Sequence, residues 1–339
     1  MIRISILLGA LLVSGLASAH HSSNAFYDRN TNSELVGTIT SVDWVNPHVR
    51  FTLEVINDNN EHEVWALEAS SINILDRHGF GRENLTVGNQ VTVVGYLSRF
   101  GLKEMGAAYI SVPGGEDVVL WAGLFGGREQ GNTTIGVDAT SAAPRPRGIF
   151  RVWTLGEYPH LKGAPDGSGN RRMLPYAPMA VAARERFDPL TDDTALRCIP
   201  QGMPGIMDNP FPMEIVEQGD DIVFRIEQWD VVRTIHMSGD QSSGSQLASP
   251  QGYSVGRWEQ DTLVVTTTQV NWPFFDDIGT PQSEDIEIVE RFSLSAEESR
   301  LNYTITAIDP VTFTEPVSFE TGYWVWVPGE EVKPYNCTL

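Results

Sequence analysis

Apolar and polar residues alternate over residues 35–45 and again over 49–56, the two runs meeting at Asn46 and Pro47. Period-two alternation is the pattern of a half-buried strand, and a proline between two such runs marks a break in the ladder. Residues 62–69 repeat the pattern. Residues 71–85 change it: Ile72, Leu75 and Phe80 share a helical face, and Gly79 is a natural C-terminal stop. Two more alternating runs, 86–98 and 107–115, follow. Three strands, a helix and two strands in about 80 residues is the order of a small five-stranded OB-type barrel.

Residues 114–148 lose the alternation and are rich in Gly, Thr, Ala and Pro, which predicts a linker. The apolar stretch 118–125 is expected to pack on a neighbouring surface, and Pro144 and Pro146 mark the boundary. Beyond Ile149 the chain opens with one short strand and a Pro- and Gly-rich region, 156–212, that carries a helical stretch at 178–185. Long alternating runs then recur at 213–237, 253–270, 284–309 and 317–327. Turns are expected at Gly219 and Asp220, at Gln260 and Asp261, and at 296–298. This pattern predicts a mainly β chain, with a second, larger antiparallel β-barrel of lipocalin-like type over 149–339.

The first 19 residues lie outside this pattern. Arg3, an apolar run to Leu16 and a small-residue site ending at Ala19 read as a cleaved export signal, giving a periplasmic or secreted protein that begins at His20. No later apolar run is long enough to span a membrane. The two cysteines, Cys198 and Cys337, are then most simply a disulfide, closing a loop of about 140 residues and stabilising by roughly 3–5 kcal/mol. A formal charge of −21 excludes a basic face for nucleic acid, disfavours an anionic membrane surface, and favours cations at long range.

Several strings resemble known proteins. Gly37-Thr-Ile39 with Val42, and the return through Val87-Gly88, Val91, Val93 and Gly95, resemble bacterial periplasmic OB-fold proteins, which implies fold and not function. Ala19-His20-His21-Ser22 followed by Gly37-Thr-Ile-Thr-x-Val-x-Trp-x-Asn46-Pro47-His48 is similar to a bacterial family of exported two-domain proteins of unknown function. The second half carries similar strings at 198–204, 254–265, 283–292 and 301–316. The stretch His236-Met-Ser-Gly-Asp240 departs from the Asp-Gly-Arg turn of those relatives.

Three sets of residues could carry chemistry. A mature N-terminal His20 offers its amine and ring as a chelate, and a further imidazole from His21 or His48 completes a T-shaped set suited to copper. Five of the seven histidines precede residue 80, but no His-x-x-x-His or Cys-x-x-Cys spacing supports zinc. The competing reading makes His20 and His21 a loose tail and His48 a turn residue. The second set is aromatic: Trp229, Trp258, Trp272, Phe274, Phe275 and Trp324, with Tyr323 and Trp326, could line a barrel pocket for a small apolar molecule. Ordinary core packing explains the same residues. The third set is ionisable: Asp230, Arg233, His236 and Glu259, with Glu284, Glu290 and Asp309. Turned inward these would suit catalysis, whereas on half-buried strands such residues face water. The functions in view are therefore a binding protein for a small apolar ligand with a copper site, an enzyme acting on a small hydrophobic molecule in the barrel, and an accessory module that binds another exported protein.

Overall fold

The computed structural model describes residues 26–111, 117–121, 148–161, 173–189, 191–238, 247–320 and 322–338. The residues read as an export signal, His20, His21 and most of the expected linker fall outside these residues.

The first barrel is built from β1 (Tyr27–Asp43), β2 (Arg50–Ile56), β3 (His62–Glu68), the short helix α1 (Ile72–Arg77), β4 (Gln90–Ser98) and β5 (Glu104–Ser111). Its strands run in the order β3-β2-β1-β4-β5, and a parallel β3–β5 pairing closes the ring. With α1 between the third and fourth strands, this is the OB-type connectivity expected from the residue pattern. Alternate residues of each strand, among them Ile39, Phe51, Leu53, Leu67, Val93 and Met105, fill the interior under Leu75 of the helix. Ser71 caps α1, its side chain accepting the Ile74 N–H. Gly95 is needed where β4 crosses β5, because a Cβ there would stand 2.1 Å from the carbonyl oxygen of Gly106.

This barrel extends past residue 113, where the linker was expected to begin. β6 (Val118–Val119) pairs with the edge of β5, and the Leu120 N–H donates to Ala108 O at 2.8 Å. Leu120 and Trp121 are buried against the barrel. Four apolar residues beside an open strand edge gain more from covering it than from crossing solvent.

The second barrel uses β7 (Val152–Glu157), β8 (Met213–Gln218), β9 (Asp221–Ile226), β10 (Val231–His236), β11 (Tyr253–Glu259), β12 (Thr262–Thr268), β13 (Glu287–Leu294), β14 (Arg300–Ile308), β15 (Val317–Phe319) and β16 (Tyr323–Val325). Nine of them close a ring, β7 through β14 and then β16 back to β7, with β15 attached to β14. Helix α2 (Pro178–Arg184) lies where helical spacing was read. The turns at Gly219, Gln260 and Glu298 all carry positive φ. One expectation fails: the barrel is not antiparallel throughout, since β10 and β11 pair in parallel, Ile235 with Ser254 and His236 with Val255. Parallel neighbours need a long connection, and 16 residues, 237–252, separate the two strands. No helix among the described residues is long and apolar enough to cross a membrane.

The two barrels meet at a polar joint. Glu227, with no exposed surface, receives Arg77 of α1 through both terminal nitrogens, at 2.6 and 2.7 Å. It also accepts Asn73 Nδ2 at 3.0 Å and the Lys333 N–H at 2.8 Å. Asn46 joins the same network: its amide donates to Asn73 Oδ1 at 2.8 Å and to Tyr335 O, while its Oδ1 accepts the Ile72 N–H. Cys198 and Cys337 form the expected disulfide.

Candidate functional site

The turn after β1 delivers His48 into a small buried cluster at one end of the first barrel. The ring is only 8% exposed, and its Nδ1 lies against Glu68 Oε1 at the end of β3. The other oxygen of Glu68 accepts the Tyr27 hydroxyl at 3.1 Å. Trp121 packs edge-on against the His48 ring, centroids 5.0 Å apart, and against Tyr27 at 6.4 Å. Phe26 and Ala108 complete the apolar wall.

Electrostatics follow from this burial. Loss of water, and then the positive charge of Arg50, push the His48 pKa down to about 3. At neutral pH the ring is uncharged, the form that binds metals. An imidazole whose Nδ1 faces a carboxylate is held in orientation, an arrangement also found behind metal-ligating histidines. Burial, and then the Glu68 charge, raise the Tyr27 hydroxyl well above its ordinary value. The same two causes raise Glu104.

The other histidines of the first barrel stand apart. His62 is exposed and pairs with Glu54 at 3.1 Å, and His78 ends α1, where burial lowers its pKa. Among the described residues no group of three or more His, Cys, Asp or Glu side chains is arranged to hold a metal. His20 and His21 lie outside those residues.

The aromatic set does not line one chamber. Trp324 stacks in the barrel core with Phe292 and Tyr303. Phe275 packs on Phe313 and Phe319. Trp229 meets Tyr335 at the joint between barrels, centroids 5.1 Å apart. Trp258 is 44% exposed, near the end of β11, where Arg257 and Glu259 are exposed as well. Trp272 and Phe274 do share a cavity, with Phe187, Asp192, Asp193 and Asp276, but its volume of about 20 Å³ holds a single water.

The ionisable set is dispersed as well. Asp230 accepts the backbone N–H of Tyr335 at 2.9 Å and of Asn336 at 3.4 Å. His236 pairs with Asp221 at 3.0 Å and stacks on Tyr253. Glu259 lies on the surface between Arg257 and Arg291, whose hydrogen bonds hold its carboxyl below the usual range. Asp309 caps a turn and receives the Ser283 backbone and hydroxyl.

Arg233, with its partner Glu290, is the exception to the expectation that strand charges face water. It is buried, and five adjacent strands supply one inward polar residue each. Arg233 donates to Ser254 at 3.1 Å, to Thr267 at 2.7 Å and to both oxygens of Glu290, the contact from Nη1 to Oε1 being 3.0 Å. The Tyr303 hydroxyl closes the girdle on Glu290 at 2.9 Å. With Phe224, Phe292, Tyr303 and Trp324 stacked beside it, this girdle leaves the interior filled with side chains.

Glu68, Tyr27 and Trp121 had not been singled out from sequence. Their one available signal was that each lies at the end of an alternating run or beside it, where an inward residue can turn across the barrel mouth. No curated protein matches the chain. Residues 10–107, which take in most of the first barrel and His48, are similar to a family of unknown function (DUF6152).

Proposed function

We propose that the protein is an exported copper-binding protein, with the metal held at the first barrel by the amine and ring of a mature N-terminal His20 and by the ring of His48. His21 is the neighbouring imidazole that could extend the set. The observation that carries this reading is the placement of Tyr27: its hydroxyl meets the carboxylate that holds His48, so the chain enters the fold beside that ring. Six residue steps separate His20 from Phe26, a reach of at most about 20 Å. A neutral imidazole oriented by Glu68 supports copper over a turn-stabilising role, since a turn residue has no need of a buried carboxylate behind it. The disulfide fits an oxidising, exported setting.

The barrel as a chamber for a small apolar ligand, or as an enzyme pocket, has less support. Its interior is occupied by the Arg233–Glu290 girdle and stacked rings, while drug-sized ligands need about 300 Å³ or more.

The test is a copper(II) titration of protein beginning at His20, followed by electron paramagnetic resonance. One copper per chain with nitrogen-rich coupling is expected. A protein with one extra residue before His20, and His48→Ala, should each lose the tight site. Equal binding by all three forms would refute the reading.

A further inference from the structure

Residues 330–338 run from the second barrel across the joint and reach the turn that carries His48. Lys333 is held through its N–H by Glu227, and Tyr335 through its N–H by Asp230 at 2.9 Å. The Tyr335 ring is buried between Phe211 and Trp229, with centroids at 5.3 and 5.1 Å. From there the segment lies beside Asn46: Cys337 forms a parallel bridge with it, and the Thr338 N–H donates to Asn46 O at 3.1 Å. Asn46 in turn binds Tyr335 O and the start of α1. The far end of the segment is pinned by the disulfide to Cys198, which ends the 3-10 turn Thr194–Arg197.

We propose that residues 330–338 are a disulfide-latched strap that positions His48, so that the state of Cys198 and Cys337 regulates the copper site. For its functional consequence this rests on the copper reading above. The geometry gives a short path: Cys337 touches Asn46, and Asn46 is two residues from His48. Other contacts hold the strap at Lys333 and Tyr335, but beyond Tyr335 the disulfide is the covalent anchor. Asn336 and Thr338 are exposed and Cys337 is half-buried, so a reagent can approach the latch. Closing it removes two electrons and two protons from the two thiols and passes them to a disulfide-bearing oxidant, which leaves as a dithiol. Opening is the reverse, with an external dithiol oxidised to its own disulfide. An open latch frees the Thr338 and Cys337 contacts of Asn46, leaving the turn those to Tyr335, Asn73 and Ile72.

The experiment compares oxidised full-length mature protein with Cys198→Ser/Cys337→Ser and with Asn46→Ala, by amide hydrogen exchange and copper(II) titration. Exchange of the Ile72 amide, which donates to the Asn46 side chain, is expected to rise at least tenfold in both variants. Copper affinity at the His48 site should fall at least tenfold, while amides of β12 and β13 stay protected. Unchanged exchange at Ile72 and unchanged affinity in the double serine variant would overturn the proposal. Should that variant fail to fold, wild-type protein reduced with dithiothreitol under native conditions, which keeps Asn46 as the Ile72 acceptor, decides it by the same readouts. If wild-type protein takes up no copper, the copper reading fails by itself. Exchange at Ile72 then still supports the strap or overturns it.

Discussion

Replacing Glu227 with alanine should uncouple the two barrels. The carboxylate is fully buried and accepts four hydrogen bonds from two segments: two from Arg77 and one from Asn73 of α1, and one from the backbone of Lys333. Hydrogen bonds to a charged group contribute about 1.5–3 kcal/mol each when measured singly, but they share one desolvation cost and do not add. Removing one partner of a buried ion pair typically costs about 3–5 kcal/mol, because the other charge stays buried. Arg77 keeps a second partner, Glu330 at 3.0 Å, which places the expected loss toward the lower end, about 3 kcal/mol. The consequence is specific to the joint. Wild-type protein is expected to unfold in urea as one cooperative unit, whereas Glu227→Ala should lose the first barrel at lower urea than the second. Hydrogen exchange with mass spectrometry separates the two, reading β2–β3 against β12–β13. Arg77→Met/Glu227→Met, which buries no charge, should recover part of the loss. A single unchanged transition, within 1 kcal/mol of wild type, would refute the argument that this pair couples the barrels.

Two further outcomes are expected. The His48 pKa of about 3 in the folded protein lies below the ordinary value near 6.5, so the unfolded chain takes up this proton first on acidification. Metal-free protein should therefore hold this stability above about pH 6.5 and lose it progressively as the pH falls toward 3, among neighbours Glu68, Glu104 and Arg50. Urea titrations across that range should show a shallower slope in His48→Gln, and equal slopes would count against a buried neutral ring. In the second barrel, Arg233→Met or Glu290→Gln alone should cost about 3–5 kcal/mol, and Arg233→Met/Glu290→Leu less than either. Thermal and urea denaturation decide this, and a double variant as unstable as the sum of the singles would contradict it.

The sequence made the barrels legible because strands facing a core must alternate, and the alternation at 35–56 and 253–309 survives in the ladders. It hid the polar interior for the same reason. Along β10, Val232 is the outward residue, 61% exposed, while Arg233 points inward between Val231 and Ile235. Val231 and Ile235 favour that face, and Arg233 shares it because four other strands supply Ser254, Thr267, Glu290 and Tyr303 as its partners. Glu227 was concealed likewise. It follows Ile226 at a break where Trp229 and Asp230 adopt positive φ, and its partners lie about 150 residues away in the first barrel. The parallel β10–β11 seam was equally invisible, since each strand alone reads the same in either direction. His48 was legible as a candidate from its position after Asn46 and Pro47, but not its carboxylate: Glu68 ends a run whose Glu63 is a surface residue paired with Lys103.

The division of polar groups between the barrels argues for where chemistry belongs. In the second barrel, the guanidinium of Arg233 spends its donors on Ser254, Thr267 and Glu290, and Tyr303 takes a remaining site on Glu290. A network satisfied in this way fixes strand register and leaves no donor to exchange with a ligand. At the mouth of the first barrel the same currency is spent differently. Glu68 is shared between a phenol and an imidazole, and burial keeps that imidazole neutral instead of charged. A proton-free imidazole is a weak contributor to folding and a good donor to a soft or borderline cation, and the net charge of −21 draws cations to the molecule at long range. On the copper reading proposed above, the filled barrel is the rigid support from which residues 330–338 hold the Asn46 turn.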